Sequence, residues 1–101
     1  MASNAVVEGM ISISGHIAHA LFDPGATHSF ISSVFAYKLN QMSEPLGFQL
    51  VVSTPIGVKI ITSTKYVNCE VIIGEIETSI DLIKLGEMKF DTILGLSLIH
   101  I

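Results

Sequence analysis

The sequence predicts a mostly β domain, a small closed or folded-over β structure with one or two short helices. Three observations predict it. Apolar and polar residues alternate with a period of two over most of the chain. Turn pairs rich in glycine separate the alternating segments at short intervals. Helical character is confined to one stretch, Ser32 to Leu39, barely two turns long.

The elements follow in order. Val7 to Ile13 alternates, Ser14-Gly15 forms a turn pair, and His16 to Phe22 continues in the same style, which predicts a hairpin. Ser29, Ser32 and Ser33 are each placed to cap the short helix. Phe48, Leu50 and Val52 alternate with Gln49 and Ser53, Thr54-Pro55-Ile56-Gly57 interrupts, and Val58 to Thr62 resumes, predicting a second hairpin. Val67, Cys69, Val71 and Ile73 lead through Gly74-Glu75 to Ile76, Thr78 and Ile80, predicting a third. Asp81 to Leu85 and Phe90 to Leu94 read as two last buried strands separated by Gly86-Glu87.

A chain of 101 residues, half of them apolar and 14% charged, has room for one compact core and falls among globular sequences. One domain over residues 1–101 is expected, and so apolar a small domain is expected to bury a subunit interface. The net charge is −4, with five lysines and no arginine, and no basic cluster is present to neutralise phosphates, so nucleic acid is not an expected partner. No apolar run is long enough to span a bilayer and the N-terminus lacks a signal-peptide layout, so a soluble intracellular chain without membrane partners is expected. Cys69, the single cysteine, sits at an apolar position of an alternating segment and is expected to be a buried free thiol. His16, His19 and His100 have no metal-ligand spacing with it, so neither metal nor other cofactor is expected.

The stretch Leu21-Phe22-Asp23-Pro24-Gly25-Ala26-Thr27-His28-Ser29-Phe30-Ile31 carries the chemistry. Asp23 ends an apolar strand and Pro-Gly follows at once, so the chain turns with the carboxylate held at the strand end. A rigidly placed, partly desolvated carboxylate suits acid–base work. Asp-Pro-Gly is also ordinary turn chemistry, and local composition alone favours that reading.

The wider pattern reverses the preference. Leu21 to Ser32 resembles the Asp-Ser-Gly-Ala-Thr-His-Ser-Phe-Ile-Ser signature of retropepsin-like aspartic proteases of plant gypsy-type retrotransposons, departing from it only at Pro24. The second signature of those enzymes is matched by Phe90-Asp91-Thr92-Ile93-Leu94-Gly95. The resemblance runs from about Ile11 to Gly95 and implies a closed barrel of the retropepsin, or acid-protease half, type. It implies Asp23 as the one catalytic carboxylate each subunit lends to a homodimer. Gly25 and Ala26 are implied at the substrate, and the flap over it at Thr54, Pro55, Ile56 and Gly57. Pro24, Thr27, Ile93, Leu94 and Gly95 are implied as the motif's framework. The substrate implied is a retrotransposon polyprotein, cleaved in the cytoplasm or in virus-like particles.

Two departures stand out. Pro24 lacks the hydroxyl and the N–H that the family's Ser or Thr uses to link two active-site loops across the dimer. After Gly95 the chain reads Leu96-Ser97-Leu98-Ile99-His100-Ile101 in place of the family's continuation, so a chain truncated after about residue 95 is expected. Pro24 and this ending favour a rival reading, a catalytically inactive domain of the same shape serving as a fold or dimerisation module. A small barrel with binding function and no relation to proteases has to treat both motifs as coincidence.

Overall fold

In the computed structural model, residues 7–53 and 59–95 are described. The chain runs β1 (Val7–Ile13), β2 (His16–Asp23), β3 (Phe30–Ile31), α1 (Ser33–Ala36), a 3-10 turn (Tyr37–Leu39), β4 (Glu44–Ser53), β5 (Lys59–Ile73), β6 (Ile76–Lys84) and β7 (Thr92–Gly95). The strands are hydrogen-bonded in the order β1-β2-β7-β3-β6-β5-β4, and β1 pairs again with β5. That extra pairing closes six strands into a barrel and leaves β4 outside the ring, on the extended arm of β5. A closed ring has no sheet edge of its own to protect.

The first hairpin forms as expected. Ile13 pairs with His16 across a two-residue turn in which Ser14 and Gly15 have φ of 51° and 83°. Positive φ at both central residues is the turn whose twist matches the flanking strands. Period-two alternation then sends Ile11, Ile13, Ala18 and Ala20 inward, where they pack with Ile31, Phe35, Leu39, Val71, Leu82 and Leu94. Cys69 joins this core as a buried free thiol.

Three boundaries differ from the sequence expectation. The described part of the stretch expected from Val58 to Thr62, which begins at Lys59, and the stretch Val67–Ile73 are one strand, β5, bent by a bulge between Tyr66 and Cys69. Asn68 takes a left-handed conformation there, φ 53°, and donates its N–H to Asp81 Oδ1 at 2.9 Å. Asn tolerates that geometry better than most residues. Asp81 to Leu85 is no separate strand: it continues β6 up to Lys84, since Tyr66–Lys65 of β5 runs on opposite Leu82–Ile83. Phe30–Ile31 is a short strand that pairs with both β6 and β7, an element the sequence did not predict.

Candidate active site

Asp23 is the last residue of β2, and the strand delivers it to a fixed place. β2 and β7 run parallel with Ala20 opposite Thr92, Leu21 opposite Ile93, Phe22 opposite Leu94 and Asp23 opposite Gly95. Pro24 restricts the preceding residue to extended backbone, which suits the end of a strand. The turn then folds back on the carboxylate: Gly25 N–H donates to Asp23 Oδ1 at 2.9 Å, and Ala26 N–H donates to the Asp23 carbonyl at 3.2 Å. Asp23 is half-buried, whereas Pro24 and Gly25 are exposed. One carboxylate oxygen is thus oriented by an N–H, and the other has no hydrogen-bond partner among the described residues.

The loop after Asp23 lies over the end of β7, and Gly95 is where the two touch. A Cβ on Gly95 would stand 2.6 Å from the Ala26 carbonyl oxygen and 3.1 Å from that of His28. Real side-chain carbons do not approach backbone so closely, so only glycine lets the loop sit there. The contact is locked by the Ser29 hydroxyl, which is buried and accepts the Gly95 N–H at 3.0 Å. Thr92, also buried, donates its hydroxyl to the Phe30 carbonyl at 2.5 Å.

A second clamp holds the start of β7. Asp91 Oδ2 accepts the His19 N–H at 2.8 Å, Asp91 N–H donates to the His19 carbonyl at 2.9 Å, and the Asp91 carbonyl accepts the Ser32 N–H at 2.9 Å. Asp91 thus ties β2, β7 and the helix start together. Ser32, not Ser29 or Ser33, caps that helix, its hydroxyl accepting the Phe35 N–H at 3.1 Å.

The Asp23 and Gly95 motifs, far apart in sequence, are thereby packed against each other. Over residues 1–100 the chain matches the family described as retroviral aspartyl protease. The chain belongs to the retroviral aspartyl protease family. Its fold is similar to the crystal structure of the retroviral protease-like domain of Ddi1 from Leishmania major, with a TM-score of 0.62 at 17% identity, covering 90% of this chain and 72% of that one. No curated protein matches the chain. The closed barrel of six strands with one short helix is the retropepsin-like fold.

Within this retroviral aspartyl protease fold, the remaining site residues fall as follows. Leu94 is fully buried in the core, and Ile93 is half-buried between Leu21 and Phe30. Thr27 is exposed and its hydroxyl lies 3.0 Å from His28 Nδ1. Ala26 is half-buried beside Asp23. Thr54, Pro55, Ile56 and Gly57 lie outside the described residues, as do residues 96–101. The arms leading to the first group are the paired strands β4 and β5, in register from Leu50 opposite Thr62 to Ser53 opposite Lys59.

Gly25 differs from Gly95 in a telling way. A Cβ there would meet only Asp23 Oδ1, at an ordinary 3.5 Å, and its φ is not left-handed. Nothing among the described residues requires glycine at this position. Sequence reasoning missed the two buried hydroxyls and Asp91. Ser29 read as one of three candidate helix caps and Asp91 only as part of the second signature, because their partners are distant in sequence.

Proposed function

We propose that the chain is one subunit of a homodimeric aspartic endopeptidase. The observation that carries the reading is Asp23 itself: a half-buried carboxylate at a strand end opposite Gly95, oriented by the Gly25 N–H and followed by a loop packed closely on Gly95. Domains of this family are generally homodimeric. The exposure of Pro24 and Gly25, and the absence among the described residues of any need for glycine at 25, fit a loop that meets a second copy and a substrate.

In such a pair two Asp23 carboxylates, about 3 Å apart, cannot both stay ionised and share one proton. The ionised member takes a proton from water as its oxygen bonds to the scissile carbonyl carbon. The protonated member gives its proton to the carbonyl oxygen. The C–N bond then breaks as the nitrogen takes a proton, leaving a carboxylic acid and an amine, and the pair returns to its single proton. The substrate proposed is the retrotransposon polyprotein, processed in the cytoplasm or in virus-like particles.

Pro24 favours a second reading, an inactive domain acting as a fold or dimerisation module. It offers neither hydroxyl nor N–H to a neighbouring loop. Peptide cleavage at about pH 4 to 6, with sedimentation of the same sample, separates the two. The endopeptidase cleaves as a dimer and Asp23→Asn does not cleave, because an amide neither shares the proton nor acts as base. Equal cleavage by both forms, or none by wild type, would overturn it.

A further inference from the structure

Asp91 stands at the far end of the ladder that holds Asp23. His19 lies four residues before Asp23 on β2, and Asp91 lies four residues before Gly95, just ahead of β7. The two strands keep one register from Ala20 opposite Thr92 to Asp23 opposite Gly95, so Asp91 falls opposite His19 as one further rung. There the Asp91 N–H donates to the His19 carbonyl at 2.9 Å, and the Asp91 carboxylate, in place of a main-chain carbonyl, accepts the His19 N–H at 2.8 Å. The Asp91 carbonyl accepts the Ser32 N–H at 2.9 Å, where the loop that begins at Asp23 enters the helix.

The register of β7 needs such a pin. The strand is four residues long, and a parallel ladder that short is weakly held. Thr92 and Leu94 are buried with Ile93 half-buried between them, which opposes a slip of one residue, because every side chain would change face. A slip of two residues keeps the faces and carries Gly95 about 6–7 Å along the strand, out from under the Asp23 loop. Among the described residues, the side-chain hydrogen bond that ties β2 to the β7 segment is that of Asp91; Ser29 and Thr92 tie β7 to the loop and to β3 instead. Neither neighbour of Asp91, Phe90 or Thr92, carries a carboxylate that could replace it.

The charged groups nearby are engaged elsewhere. The His19 ring turns to Glu8, with Nε2 3.1 Å from Oε1, and packs edge-on against Phe90 at 5.0 Å; the Lys89 ammonium lies 5.8 Å from the centre of the same Phe90 ring. Neither cation forms an ion pair with Asp91 among the described residues. The fold therefore uses the acceptor oxygen of Asp91 rather than its charge.

We propose that Asp91 is a positioning residue for the Asp23 dyad: by pinning β7 to β2 it fixes the seat of the Asp23 loop, and so the separation of the two carboxylates in the pair. The dyad comes from the endopeptidase reading, on which this role rests, but the seat itself can be tested without cleavage.

The experiment compares the full wild-type chain with Asp91→Ala, Asp91→Asn and Asp91→Glu. Peptide cleavage is measured against pH, and the Gly25 amide proton, which donates to Asp23 Oδ1, is followed by NMR as Asp23 titrates. Asp91→Ala should lower kcat about tenfold to a hundredfold, the scale of a misplacement of about 1 Å, with KM changed less than about threefold. Its bell of kcat/KM against pH should narrow, because carboxylates further apart split their two protonation steps less. Its Gly25 amide should shift less than in the wild type as Asp23 titrates. Asp91→Asn, which keeps an acceptor oxygen, should restore all three. If Asp91→Ala does not fold, Asp91→Glu, whose carboxylate is displaced by a methylene, should show the same losses. A smaller Gly25 shift without any cleavage by the wild type supports the positioning and overturns the endopeptidase. Wild-type kcat or an unchanged bell in folded Asp91→Ala, an unchanged Gly25 shift, or the same losses in Asp91→Asn as in Asp91→Ala overturns the proposal.

Discussion

Replacing Gly95 by alanine tests the packing of the two motifs directly. The added methyl carbon meets the Ala26 carbonyl oxygen at 2.6 Å and that of His28 at 3.1 Å, and both are backbone atoms that cannot rotate away. The Asp23 loop has to recede. Overpacking of this kind costs roughly 1–3 kcal/mol, and stretching the buried Gly95 to Ser29 hydrogen bond removes about 0.5–1.5 kcal/mol more. Against this, alanine restricts the unfolded chain and returns roughly 0.4–1 kcal/mol. The net expectation is a loss of about 2 kcal/mol, seen in urea unfolding as a midpoint lowered by roughly 1–2 M. Gly25→Ala is the matched control, because its methyl meets only Asp23 Oδ1 at 3.5 Å. That variant should unfold within about 1 kcal/mol of wild type, on the stabilised side, while its cleavage falls if the loop faces substrate and a second copy. Gly95→Ala as stable as wild type, or Gly25→Ala the less stable of the two, would show that the loop does not rest on β7 as described.

Pro24→Ser restores a hydroxyl and an N–H; each new buried hydrogen bond contributes about 0.5–1.5 kcal/mol and two-fold symmetry doubles it. The dimer should therefore dissociate less in sedimentation and turn over faster, though monomer stability falls by roughly 0.4–1 kcal/mol as proline's restraint on the unfolded chain is lost. No change in either dissociation or turnover would favour the inactive module. Burial, reinforced by the Asp81 charge, pushes the Cys69 thiol from 9.0 up to about 11. The folded state thus holds its proton more tightly than the unfolded one, so this contribution to stability is complete below pH 9 and is lost as pH rises from 9 to about 11. Cys69→Ala should flatten that part of the stability profile, and alkylation of the wild type at about pH 8 should wait on unfolding; immediate labelling would contradict the burial.

The sequence by itself determined the class of fold, the first hairpin with its Ser14-Gly15 turn, most of the inward-facing residues and the stretch that carries Asp23. These are local matters: a period of two and a turn pair are set by neighbours in the chain. The two motifs around Asp23 and Gly95 were legible only as a resemblance, since nothing in either stretch alone says that they meet. Tertiary structure decided that β5 is one bent strand, that Asp81 steadies its bulge, and that Asp91 ties β2 to β7. It also separated two glycines that look alike in sequence, one pressed against a neighbouring loop and one where a side-chain carbon would make only an ordinary contact with the Asp23 carboxylate. Ser29 shows the reason most clearly. A serine after a turn reads as a helix cap, but a buried hydroxyl goes to whichever donor the fold brings to it, and here that donor is the N–H of Gly95, supplied by a strand at the far end of the chain.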